Sequence, residues 1–119
     1  MNGARKRGLL IVAMLCLTLT VCLAAYPLGV RANRLDLISE QSLDQLLGLC
    51  IQYRVDTVYI PIISYMEALY ASDLLPRSSV LINNGTPDAF DPLRYLMEKG
   101  RHLGVVIIPI VDLFTVWPS

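Results

Sequence analysis

Charge is scarce in this chain and balanced in sign: 17% of its 119 residues are charged, ten basic against ten acidic, where globular chains average about 25%. That balance excludes a nucleic-acid surface built on bulk positive charge. Histidine occurs once, and there is no CxxC pair or His/Cys cluster, so the sequence points to no zinc site and to no cofactor. Of the three cysteines, only Cys50 lies outside the first segment. An intrachain disulfide bracing the rest of the chain is therefore excluded, and Cys50 reads as a core filler. The length admits one small domain.

What is present begins with a segment addressed to a membrane. Arg5, Lys6 and Arg7 precede an uncharged, mostly apolar run from Leu9 to Ala25, and no charge appears between Arg7 and Arg31. This is the n-region and h-region pattern of an export signal. Cutting after Ala24 is the favoured cleavage, ahead of Tyr26-Pro27, giving a 1–24 signal peptide. Left uncut, the span from Gly8 to Val30 is long enough to serve as an N-terminal membrane anchor with its positive end inside. Leu19-Thr20-Val21-Cys22 offers a lipoprotein alternative, although Val21 is bulkier than such processing usually accepts before the cysteine. The expected location is exported: periplasmic, extracellular or membrane-anchored. Beyond residue 24 seven basic and ten acidic side chains remain, a formal net charge of −3.

The rest alternates strand and helix. A short strand around Gly29-Val30-Arg31-Ala32 leads into a polar loop ending at Ser39, a helix cap. Leu43, Leu46, Leu47, Cys50 and Ile51 then fall on one amphipathic stripe. Thr57 to Ile63 is a continuous apolar β-rich run, as in a parallel strand buried on both faces, with Pro61 calling for an edge or a bulge. Ser64 to Phe90 reads as a long loop with one helical turn at Glu67 to Tyr70; loops of this length are uncommon unless functional. Asp91-Pro92 starts a second helix, with Leu93, Leu96, Met97 and Gly100 on one face and Gly104 closing it. Val105 to Val111 is a third buried strand, and Asp112 stands at its end. The order is βαβαβ, an α/β arrangement with a parallel sheet and right-handed crossovers.

Several motifs in this order carry a resemblance: Arg34-x-Asp36-Leu37-x-Ser39, Asp56-Thr57-Val58-Tyr59, Ala68-Leu69-Tyr70-x-Ser72 with Leu75-Pro76-Arg77-Ser78, and Phe90-Asp91-Pro92-Leu93-x-Tyr95-Leu96 before Gly104. Together, from about Val30 to Trp117, they resemble the glycosyl-hydrolase-like family 10 domain, a bacterial, usually exported or lipid-anchored (β/α)₈ barrel. The resemblance implies that residues 28–119 form the first three strands of such a TIM barrel, which typically needs about 250 residues. Two departures thin the expected sugar lining. Pro61-Ile62-Ile63-Ser64-Tyr65-Met66-Glu67 replaces an Arg- and Gly-containing turn, and Ile108-Pro109-Ile110-Val111-Asp112 replaces a strand end of the form His-Ala-Trp-x-Asn.

Glycoside hydrolysis takes two carboxyl groups, held in barrels at the C-terminal strand ends. Asp36, Glu67 and Asp112 occupy suitable places and, with Tyr70, form the candidate substrate-binding set; the catalytic pair is unknown, since related enzymes draw it from later strands. Beside this stands a structural account in which Asp36 pairs with Arg34, Asp112 caps a turn and Glu67 is solvated. Tyr65, Tyr70 and Trp117 are candidates for stacking on sugar faces, with loop packing as the plainer role. His102 sits where a helix C-terminus favours positive charge, and Asn84-Gly85 marks a turn.

The functional expectation is an exported glycoside-hydrolase-like fragment, inactive alone, whose full-length parent acts on cell-wall or other extracellular polysaccharide. The alternative is a small membrane-anchored α/β binding or assembly module that pairs its open sheet edge with another subunit or a second copy. Expected partners are thus a carbohydrate, a membrane through the first segment, and the remainder of a barrel or a self-associated copy, but no nucleic acid.

Overall fold

The computed structural model describes residues 2–23 and 27–112. The apolar first segment is helix α1, Asn2–Leu23, free of proline until Pro27. Its apolar side chains Leu9 to Leu17 are exposed all round, and Thr18 Oγ1 donates back to the Met14 and Leu15 carbonyls at 3.0 and 2.9 Å. Among the described residues no helix is long and apolar enough to cross a membrane. The expected cut after Ala24 lies outside the described residues.

The remaining described residues form a mixed α/β unit around a parallel sheet. Strands β1 (Gly29–Arg31), β2 (Thr57–Ser64), β3 (Glu67–Ala68) and β4 (Val106–Val111) make one sheet. Strand β2 is central: β1 and β4 pair with it in parallel and β3 antiparallel. Since β4 runs along residues 57–63 of β2, β1 and β3 must share its other edge, at opposite ends. Pro61 falls where the β2–β4 register shifts between Pro61 and Ile63, so its missing donor is absorbed at a bulge beyond the end of β1.

Two crossover helices cover one face. Ser39 caps α2 (Glu40–Gln52) in a reciprocal box: its Oγ accepts from Ser42 N at 3.1 Å while Ser42 Oγ accepts from Ser39 N at 3.2 Å. Leu43, Leu47 and Cys50 are fully buried by this helix. Ile51, expected on the same stripe, is 53% exposed, because it lies around the helix from the Leu43–Leu47–Cys50 line. Helix α4 (Pro92–Leu103) starts from Asp91, whose carboxylate accepts from Arg94 N at 3.2 Å, and ends at Gly104 with φ 72°. Leu96 and Gly100 face the sheet, whereas Met97, also expected there, is on the surface. A Cβ on Gly100 would sit 3.0 Å from both Ile107 Cγ1 and the Val105 carbonyl oxygen, so a glycine lets α4 approach β4 this closely. Tyr95 Oη donates to Asp44 Oδ1 at 2.9 Å and ties α4 to α2.

The opposite sheet face is partly exposed among the described residues. Register puts Val30, Val58 and Ile107 in one row toward the helices, and Arg31, Tyr59 and Ile108 in the next row facing away. Val106, Tyr59 and Ile108 are 56, 39 and 37% exposed. Strand β4, expected to be buried on both faces, has no fully buried residue: Ile107 and Ile110 are half-buried and the others exposed, and its outer edge has no partner strand among the described residues.

The segment from Ser64 to Phe90 is more ordered than its turn residues imply. In place of the helical turn expected at Glu67 to Tyr70, Glu67–Ala68 is β3, folded back on Ile63–Ser64 through Tyr65 and Met66, whose φ angles are 54° and 61°. A short helix, α3 (Ser79–Asn83), follows where a loop was expected, and Asn84-Gly85 closes it, Gly85 taking φ 69°. Leu69 and Leu81 anchor the segment, both fully buried. Arg77 Nη2 donates to the Pro87 and Phe90 carbonyls at 2.7 and 3.2 Å, and Thr86 Oγ1 to Ile38 O at 2.6 Å.

Candidate functional site

Parallel α/β sheets hold their ligands at the C-terminal ends of the strands, where loops diverge and helices do not block access. A cleft of about 470 Å³ lies there, lined by Arg31 at the end of β1, Asn33 and Arg34 just past it, Pro61, Ser64 and Tyr65 at the end of β2, and Asp112 after β4. Arg31 Nη2 is 3.5 Å from Asp112 Oδ2, bridging the two outer strands across β2. Asp112 N donates to Ile63 O at 3.0 Å, which fixes the residue at the rim beside the bulge. The Arg34 guanidinium carbon lies 4.8 Å from the centre of the Tyr65 ring, a cation–π contact between two residues of the cleft lining.

Tyr65 owes its position to the backbone. It and Met66 are consecutive non-glycine residues with positive φ, the geometry of a two-residue hairpin turn that normally selects Asn-Gly. Each costs roughly 1–2 kcal/mol relative to a right-handed conformation. Strain held at a ligand-facing turn is a recurrent feature of functional sites, and here it presents the Tyr65 ring to Arg34.

The four residues expected to meet a substrate separate. Asp112 lines the cleft. Asp36 does not: its Oδ2 accepts from Asn33 N at 2.7 Å in a capping box at the 3₁₀ turn Arg34–Leu37, with Asn33 Oδ1 accepting from Leu35 N at 3.3 Å. It is not paired with Arg34 and is not part of the cleft lining. Glu67 is neither a cleft residue nor solvated, since its Oε2 accepts from Ser78 Oγ, Ser79 N and Ser79 Oγ at 3.2, 2.8 and 2.9 Å. Tyr70 is half-buried outside the cleft lining. Of the two described aromatics that are candidates for stacking, Tyr65 lines the cleft and Tyr70 does not; Trp117 lies outside the described residues. Arg31, Asn33 and Ser64 carry no sequence signal for a site beyond their position at or just past the end of a parallel strand, and Arg34 enters the sequence reading only through the Arg34-x-Asp36 motif and as a partner for Asp36.

Two further groups are structural. Cys50 is buried, and burial pushes its thiol pKa up, which suits a core filler and opposes thiolate chemistry. His102 stands in the last turn of α4 with Arg101, where the helix dipole favours positive charge. Among the described residues no group of three or more His, Cys, Asp or Glu side chains could hold a metal ion.

The cleft thus offers two guanidiniums, an aromatic face, a hydroxyl and one carboxylate. Hydrolysis of a glycoside by two carboxyl groups has only Asp112 to draw on among the described residues. The arrangement is suited to holding a polar ligand. No family model matches the chain, and no curated protein or solved structure matches it.

Proposed function

We propose that the chain is an exported, glycoside-hydrolase-like unit corresponding to the first three strands of a (β/α)₈ barrel, which binds saccharide at its strand ends and does not hydrolyse it alone. The observation that carries this reading is the cleft at the C-terminal ends of three parallel strands whose order in the sheet follows their order in the chain. Doubly wound sheets reverse strand order and place helices on both faces. Here α2 and α4 touch each other on one face, and the Val106, Tyr59 and Ile108 rows on the other are those that a closed barrel fills with interior side chains. The ordered motifs from Arg34 to Gly104 and the Arg5-Lys6-Arg7 start before an apolar helix support the family and the export.

The parent barrel would act on cell-wall or other extracellular polysaccharide, its acid and nucleophile coming from further strands. The outer edge of β4, without a partner strand among the described residues, supports a second reading, a binding module whose sheet is completed by a partner.

Binding of the full chain to an array of neutral and acidic glycans, with a reducing-end assay on the same glycans, tests the proposal. Saccharide capture without release of reducing ends is expected. Hydrolysis by this chain alone, or capture of no glycan, overturns it.

A further inference from the structure

Resting on the saccharide reading, the charge of the cleft assigns a ligand class. Arg34 is half-buried, is stacked on Tyr65 at 4.8 Å, and forms no ion pair among the described residues. The other guanidinium, Arg31, already has Asp112 at 3.5 Å. Asp36, two positions from Arg34, is turned to the Asn33 amide at 2.7 Å, so the nearest carboxylate in sequence does not neutralise it. Among the described residues the cleft therefore carries two fixed positive charges against one negative. A guanidinium cannot shed its proton, and its fork matches a carboxylate with two parallel hydrogen bonds. Stacking removes water from one face of that fork and leaves its edge as the donor surface.

We infer that the cleft selects an acidic saccharide, a sugar ring bearing a carboxylate, with Arg34 receiving the carboxylate and the Tyr65 ring lying beside the sugar. Asp112 opposes the same charge and limits affinity, holding Arg31 back from the ligand. A neutral sugar would leave the Arg34 edge facing water and would gain only the aromatic contact.

The experiment is calorimetric titration of the full chain with three trimers, of galacturonate, glucuronate and mannuronate, each as the free acid and as its neutral methyl ester. At least one acid is expected to bind about ten-fold or more tightly than its ester, the scale of one charge-assisted hydrogen bond. Arg34→Gln should erase that ratio through a loss of acid affinity about ten-fold larger than any change for the ester, and Arg34→Lys should restore it in part. Asp112→Asn should raise acid affinity and leave the ester alone, an independent arm if Arg34→Gln does not fold. Equal binding of acid and ester, or an unchanged ratio in Arg34→Gln, overturns the assignment and leaves the saccharide reading standing. No binding of any trimer, together with no capture on the glycan array, removes both.

Discussion

Arg31 and Asp112 are 81 positions apart in the chain, and Arg31 Nη2 lies 3.5 Å from Asp112 Oδ2 at the open end of the sheet. Each ends a strand that pairs with β2, so the contact exists only when both parallel pairings are in register. The Arg31 and Asp112 side chains are 62% and 27% exposed, and exposed pairs are worth about 0–1 kcal/mol. The pair therefore matters more to the charge of the cleft than to the fold. Asp112→Asn is expected to move the urea midpoint by less than the equivalent of about 1 kcal/mol. A loss several times larger would mean that the pair holds the sheet together.

The Tyr65-Met66 turn yields an opposite pair of outcomes for stability and binding. Both residues have positive φ, and Met66 is 64% exposed. Met66→Gly should stabilise the chain by about 1 kcal/mol, by relieving the left-handed conformation, and should leave ligand affinity unchanged. Replacing both residues with Asn-Gly should stabilise further but remove the ring beneath Arg34 and weaken binding. Thermal melts paired with the trimer titration read both effects. A destabilised Met66→Gly chain would show that the Met66 side chain, and not the turn geometry, holds the hairpin.

The legible parts of the molecule are those whose causes are local. Ser39, Asp91 and Gly104 were identified as helix boundaries because a cap acts within three or four residues, and each stands at such a boundary. The two crossover helices and the three parallel strands are readable from apolar periodicity and continuous apolar runs for the same reason, whereas β3 and α3 are not. Glu67 was misread because its donors, Ser78 and Ser79, are 11 and 12 positions away, beyond any helix or hairpin rule. Tyr65-Met66 carries no glycine or asparagine, so its turn left no mark in composition. The cleft was only partly legible: Asp112 was found as a carboxylate at a strand end. Arg31 and Arg34 acquire meaning only when three strand ends from distant positions meet.

Glu67 becomes a test of structural against ligand-binding roles. Its carboxylate oxygen accepts three hydrogen bonds, from two hydroxyls and one amide, at the start of α3. Glu67→Gln keeps the shape but weakens charge-assisted acceptance, and a loss of about 1–3 kcal/mol is expected in urea titration. Saccharide affinity, measured under conditions where the variant remains folded, should be unchanged. An affinity loss without a stability loss would return Glu67 to the binding site.

Gly100→Ala sets helix propensity against packing. Alanine favours a helix interior over glycine by about 1 kcal/mol, but its Cβ would meet the Val105 carbonyl oxygen and Ile107 Cγ1, both at 3.0 Å. The first of these is backbone and cannot rotate away. Crowding of this kind costs about 1–3 kcal/mol, so net destabilisation is expected, visible as a lower melting temperature. A more stable variant would mean that α4 can move off β4 without loss.

The contact between α2 and α4 predicts a pH dependence with a definite sign. Partial burial, then the hydrogen bond it donates to Asp44, raises the Tyr95 phenol pKa above its ordinary value. Lys99 is raised by its interaction with Tyr95 and by the Asp44 charge, with Asp44 Oδ1 3.7 Å from its Nζ. Both groups bind protons more tightly in the folded chain than in the unfolded one. Their contribution to stability is therefore fully present below the ordinary tyrosine and lysine values of about 10 and is lost as pH rises through the higher folded values. Urea midpoints measured from about pH 8 to about pH 11 should fall at the alkaline end, and Asp44→Asn should flatten that fall. In ultraviolet difference titration against Tyr95→Phe, the Tyr95 signal should move to lower pH when Asp44 is replaced. A Tyr95 titration that ignores Asp44→Asn would separate the two helices in solution, and with them the single-faced helix cover on which the barrel reading depends.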